Sequence, residues 1–179
     1  MPITEFASLS LMSPNKLSDP HVVELFSKLS SWQASASGYP LCFFTNQQEF
    51  REVYLVTGWN DVAAHEEWIK SARNQELLEI GGKFLDVIGM VHLDLDFSEF
   101  PVGAESLVCV RSVGGTEGQS EKGKQDNVVQ VQGGWTGYGK DVQETSTGMY
   151  CFTENGALED VVGKGNIGMK TSLKRVAFA

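Results

Sequence analysis

Cysteine is scarce in this chain. Cys42, Cys109 and Cys151 are the three in 179 residues, far apart and each set among apolar neighbours. An odd number at such spacing excludes a disulfide framework and a CxxC metal site, and predicts reduced thiols in the core. Positive charge is short as well: 14 Lys and Arg stand against 23 Asp and Glu, a formal net charge of −9. With no basic run to offset that balance, nucleic acid and anionic membrane are excluded as main partners. No apolar run approaches the length of a membrane span. The opening residues, MPITEF, have neither the basic end nor the apolar stretch of a signal peptide, so a cytoplasmic location is expected. Several chemical signatures are missing too. The glycines of 133-GGWTGYG-139 do not have phosphate-loop spacing, and no GxSxG nucleophile elbow occurs. The three histidines form no HxH or HExxH pair; 65-HEEWI-69 comes nearest, with Ile69 where the second histidine would stand. No metal site is expected.

What is present is a clear order of elements. Residues 3–11, ITEFASLSL, are β-prone. Asp19 and Pro20 suit an N-cap and first helical residue, and Val22, Leu25, Phe26, Leu29 and Trp32 then follow the spacing of an amphipathic helix. Two strands, 41–45 and 50–59, flank the polar turn 46-NQQ-48 as a hairpin. Asn60 or Asp61 caps a second helix, and a further apolar stretch runs over 77–85. A strand over 86–97 closes the unit, with Val91, Leu93, Leu95 and Phe97 on one face and His92, Asp94 and Asp96 on the other. The order β-α-β-β-α-β is ferredoxin-like.

After 98-SEFPVG-103 the pattern restarts in weaker form. Strands are expected at 105–113, 128–135, 147–153 and 168–179, with a short helix at 156–162. The Gly-rich, charged stretch 114–127 reads as an exposed loop where a first helix would otherwise stand. The chain thus divides into 1–100, a ferredoxin-like unit, and 101–179, a degenerate second one. Gly58-Trp59 and Gly134-Trp135 repeat a dipeptide but fall on different strands of the two units, so the recurrence is treated as coincidence.

His65 is the unusual residue of the first unit. Val62, His65, Trp68, Ile69 and Ala72 share one helix face, while Glu66, Glu67 and Lys70 take the other. A buried imidazole must find a partner for at least one nitrogen. It either bonds a nearby carbonyl and packs helix to sheet, or it serves a cavity as acid or base near neutral pH. His21 begins a helix and is expected at the surface.

Gly58, Trp59, Ala64, His65, Trp68, Ser71, Asn74 and Leu77, followed by His92 and Leu93 at the end of a strand, resemble the motif of the antibiotic-biosynthesis monooxygenase family of dimeric α/β barrels. The likeness covers roughly residues 1–97; the second half has 151-CFTENGALEDVV-162 where the tryptophan and histidine would stand. It implies an α+β protein whose two ferredoxin-like units form a pseudo-dimeric α/β barrel, as a monomer or in a homodimer. It also implies a cofactor-independent monooxygenase of secondary metabolism, taking an aromatic or polyketide-like small molecule. Such an enzyme deprotonates its substrate to a carbanion that itself reduces oxygen. His65 and His92 become the candidate catalytic residues, with Trp59, Trp68, Tyr54 and Asp94 the candidates for substrate contact. The face carrying His92 and Asp94 is either simply the solvated side of its strand or a face lining the barrel, where Asp94 is expected to orient or charge-stabilise His92. Decarboxylation, dehydration and cyclisation need the same groups on the same barrel, and a binding or stress-response barrel needs none of them.

Overall fold

The computed structural model describes residues 1–112, 134–143, 148–154 and 167–178. The loop expected at 114–127, most of the strand expected at 128–135 and the short helix at 156–162 lie outside the described residues.

The chain runs β1 (Ile3–Leu11), α1 (Pro20–Ser37), β2 (Cys42–Asn46), β3 (Glu52–Trp59), α2 (Val62–Lys70), α3 (Ala72–Gly81) and β4 (Leu85–Leu93). A 3-10 turn at Phe97–Glu99 precedes β5 (Ser106–Ser112), β6 (Thr136–Lys140), β7 (Met149–Thr153) and β8 (Ile167–Val176). Local chemistry explains the boundaries. Asp19 is extended, Pro20 opens α1, and Gly38 closes it at φ 80, a left-handed backbone that favours glycine. The helical stretch after Trp59 is two helices, not one. Ser71 sits between them in extended backbone at ψ 149, and its hydroxyl accepts from the Asn74 N–H to cap α3. Serine competes with the helix for its own backbone partners, and here it wins.

The eight strands among the described residues join one antiparallel sheet in the order β4-β1-β3-β2-β8-β5-β7-β6. The first four come from residues 3–93 and the last four from 106–176, meeting where β2 pairs with β8 from Phe43–Val176 to Asn46–Leu173. Numbered within its own half, each set of four has the order 4-1-3-2.

The sheet is strongly curled. Phe6 on β1 lies 5.1 Å from Phe152 and 6.1 Å from Tyr150, both on β7. In a flat sheet those strands, five places apart, would be about 24 Å distant at a spacing of roughly 4.8 Å per strand. The outer edges also meet. Leu93 bridges Asp141, Asp94 N–H donates to the Lys140 carbonyl at 3.0 Å, and Val142 N–H donates to the His92 carbonyl at 2.8 Å.

Two main cores result. The inner face carries Phe6, Phe44, Tyr54, Leu93, Leu95, Phe97, Phe152 and Leu173, so the inside is filled with side chains. Burying each large apolar side chain there contributes about 1.5–3 kcal/mol. Gly58 is part of this fit: a Cβ there would lie 2.7 Å from both Phe97 and Tyr39. The opposite face of β1, β2, β3 and β4 packs under α1, α2 and α3 through Ile3, Ala7, Leu25, Phe26, Phe43, Trp68 and Leu77. The three cysteines are buried free thiols. Among the described residues no helix is long and apolar enough to cross a membrane.

Candidate functional site

Between the helix layer and the sheet lies a cavity of about 290 Å³, near the lower end of small-molecule sites, which run from about 300 Å³ upward. Its wall is mostly aliphatic and aromatic, including Leu9 and Leu55 of the sheet, Phe26 and Leu29 of α1, and Trp68 of α2. Polar side chains interrupt that wall at Glu5, Gln33, His65 and Asn74.

Glu5 is the residue the motif did not contain. Strand alternation places it with Ile3, Ala7, Leu9 and Leu11, toward the helices, so a carboxyl is carried into an apolar layer. It is only 4% exposed. Its Oε2 accepts from the Trp59 indole Nε1 at 2.6 Å and from the Gln33 amide at 2.9 Å, and lies 3.4 Å from His65 Nε2. Burial raises the Glu5 pKa to about 7, more than the bonds from Trp59 and Gln33 lower it.

His65 enters from α2 and is 3% exposed. The face that would bond a carbonyl instead meets another imidazole: His65 Nδ1 is 2.6 Å from His92 Nε2. Trp59 stacks on the His65 ring at 4.6 Å between centroids. Burial, and then the neighbouring His92, lower the His65 pKa to about 3, so the ring is neutral at physiological pH. His92 lies directly across from Glu5 in the β1–β4 ladder, and its Nδ1 is 2.5 Å from Gln143 Oε1. Gln143 is exposed, just past the point where the sheet edges meet. Glu5, His65, His92 and Gln143 thus form one continuous line from the cavity to the surface.

The sequence-based candidates divide accordingly. His65, Trp68, His92 and Trp59 come together here, the first two on the cavity wall, with Trp59 and His92 bonded to wall residues. Tyr54 does not join them: it lies on the inner face, stacked on Phe6, and its hydroxyl donates to Glu52. The expectation that the His92 face lines the inside of the barrel is corrected. That face looks toward the helices because β4 pairs His92 with outward-facing Glu5, and the inside is apolar and packed. Asp94 lies beyond the end of β4, where its Oδ1 accepts from the Lys140 N–H at 2.5 Å; the ring partners of His92 are His65 and Gln143. His21 is exposed, with its Nε2 3.0 Å from Asn15 Oδ1. Among the described residues no group of three His, Cys, Asp or Glu side chains is placed to hold a metal ion.

What the arrangement can do is move protons. A carboxyl that ionises near neutral pH touches a neutral imidazole at the polar end of an apolar cavity, which is what general acid–base chemistry on an apolar molecule requires.

No family model matches the sequence, and no curated protein aligns with it. Solved structures match in shape. A provisionally named monooxygenase from Lactobacillus acidophilus NCFM superposes with a TM-score of 0.57 at 11% identity, over 97% of this chain and 93% of that one. Another provisionally named monooxygenase, from Fusobacterium nucleatum, gives 0.60 at 9% identity over 98% and 93%. A mutant chlorite dismutase from Candidatus Nitrospira defluvii, in complex with cyanide, gives 0.61 at 8% identity over 99% and 91%. At these identities the likeness concerns the fold alone: the α+β fold is shared over 97–99% of this chain, and not only over the half that carries the motif.

Proposed function

We propose that the protein is a cofactor-independent monooxygenase that removes a proton from a small aromatic molecule held between the helices and the sheet. The observation that carries this reading is the contact of Glu5 with His65, 3.4 Å apart, on the wall of an otherwise apolar cavity. As carboxylate, Glu5 takes a proton from an activated C–H of the substrate, and the N–H groups of Trp59 and Gln33 hold its negative charge while it waits. His65 passes protons to and from it. The substrate carbanion then supplies electrons to dioxygen; one oxygen atom enters the product as a carbonyl and the other leaves as water, two substrate hydrogens going with it. The cavity volume suits a compact substrate of one or two rings better than an extended polyketide.

The two halves of the chain are read as the two units of a pseudo-dimeric barrel, 1–100 carrying the site and 101–179 completing the sheet. The shared 4-1-3-2 strand order supports this, as does the reciprocal pattern in which the second strand of each half meets the fourth strand of the other.

The test is oxygen consumption by the purified protein with a panel of small phenols and phenolic ketones. Uptake matched by carbonyl product, and lost in Glu5→Gln, is the expected result. Turnover without oxygen uptake would replace this reading with a decarboxylase, dehydratase or cyclase, and no turnover of a tightly held ligand would make the protein a binding barrel.

A further inference from the structure

We propose that Glu5, His65, His92 and Gln143 form a proton wire that exchanges one proton between the buried Glu5 carboxyl and solvent. The wire rests on the reading of Glu5 and His65 as an acid–base centre, and it answers a problem that reading creates. A base 4% exposed that takes a proton from its substrate must afterwards lose it, and no water-filled opening at Glu5 is needed if the proton leaves through side chains.

The four side chains follow one another from the cavity to the surface through two hydrogen bonds and one longer contact. The link from Glu5 Oε2 to His65 Nε2 is 3.4 Å, that from His65 Nδ1 to His92 Nε2 is 2.6 Å, and that from His92 Nδ1 to Gln143 Oε1 is 2.5 Å. Each imidazole is therefore engaged at both nitrogens, which is how a neutral ring receives a proton on one side and releases one on the other. The proton positions follow from the exposed end. The Gln143 carbonyl can only accept, so His92 carries its proton on Nδ1 and its bare Nε2 accepts from His65 Nδ1–H. His65 Nε2 is then bare and faces Glu5 Oε2 at 3.4 Å, ready to receive the Glu5 proton when the contact shortens.

When Glu5 gives up its proton, every link shifts by one place. The Glu5 proton moves to His65 Nε2, the His65 Nδ1 proton moves to His92 Nε2, and the His92 Nδ1 proton leaves to solvent while the exposed Gln143 amide turns to present its NH2 group. One proton has left the cavity, no ring has become an imidazolium at rest, and both histidines have changed tautomer. The groups facing Glu5 are Gln33 from α1, Trp59 from β3, His65 from α2 and His92 across the β-ladder from it; of these only the two histidines are ionisable side chains. The raised pKa of Glu5, about 7, places the switch near neutral pH.

The experiment is nitrogen-15 NMR of the full chain, labelled at histidine and free of substrate, between about pH 5.5 and 8.5. Protonated and bare ring nitrogens have well-separated shifts, and exposed His21 provides a reference signal. The expected result is that His65 and His92 change together from Nδ1–H to Nε2–H with a common midpoint near 7. In Glu5→Gln both rings should stay Nδ1–H throughout. Tautomers that do not change with pH in the folded wild-type protein would overturn the wire, as would a change in one ring alone or an imidazolium form of either. Because no substrate is present, a missing switch in an active enzyme refutes the wire alone, and a clear switch in a protein without turnover refutes the monooxygenase reading alone.

Discussion

Glu5→Gln is the substitution whose effect can be worked out furthest, because it keeps size and hydrogen-bonding capacity and removes only a titration. In the folded protein Glu5 ionises near 7 instead of 4.5, and 2.5 units at about 1.36 kcal/mol per unit is about 3 kcal/mol. Its sign is set by linkage. A carboxyl whose folded pKa is raised stabilises the fold fully below the unfolded value, and that stability is lost as pH rises through the folded value. The wild-type protein should therefore lose about 3 kcal/mol relative to Glu5→Gln between pH 4.5 and about 7. His65 acts in the opposite sense. Its folded pKa is lowered from 6.5 to about 3, so its contribution is lost as pH falls below 6.5. The two effects oppose each other between about pH 4.5 and 6.5, which is why the wild-type curve alone is uninformative and the difference between the two proteins is the useful quantity. Urea unfolding of both across that range, at equal m-value, measures it. A difference that does not vary with pH would refute the raised pKa. A difference of opposite sign would mean that Glu5 is held as a carboxylate paired with protonated His65.

Replacing His65 with Gln should leave the His92 ring short of a buried partner and cost about 1–3 kcal/mol, while turnover per folded molecule falls roughly 10²–10⁴-fold; melting temperature and rate are measured together, and normal turnover in a destabilised variant would remove His65 from the chemistry. Trp59→Phe removes an N–H that lowers the Glu5 pKa, so the acid-side limb of the pH–rate profile, where the rate rises with pH, should move to higher pH; an unmoved midpoint would show that the indole bond does not stabilise the carboxylate. Residues 1–100 alone would expose Phe6, Phe44 and Tyr54, which the second half covers, and should aggregate or dimerise on size exclusion. A monomeric, cooperatively folding fragment would mean that the halves are independent domains. Activity should survive exhaustive chelation, and its loss would overturn cofactor-free chemistry.

The first half of the fold was legible because its helices and strands have clean periods and clear caps; the misjudged point, one helix instead of two, turned on how a single serine would use its hydroxyl. The site was legible only in part. His65 stood out as a polar residue on an apolar helix face, and the same reasoning applied to Ile3, Glu5, Ala7, Leu9 and Leu11 would have found Glu5, since a lone carboxylate interrupts an apolar strand face there. Gln33 also carried a signal, one turn after Leu29 on the buried face of α1. His92 was assigned with Asp94 by alternation, but β4 ends at Leu93, so the pairing with Glu5 and not the pattern decides its surroundings. Gln143 carried no local signal at all. It reaches His92 through contact between sheet edges 51 residues apart in sequence, which no local pattern encodes.

That contact has a mechanical consequence. Where two identical chains share a barrel, symmetry makes its two seams equal, but a single chain is under no such constraint. Among the described residues, one seam is a four-pair ladder between β2 and β8, and the other is the Leu93–Asp141 bridge with its flanking bonds. In its described part the barrel is therefore joined more lightly on one side than on the other, like a hoop with one strong weld and one light one. The light weld includes the His92 carbonyl, so amide exchange is expected to be faster at Asp94 and Val142 than along β2 and β8, and the first place to loosen lies beside the imidazole.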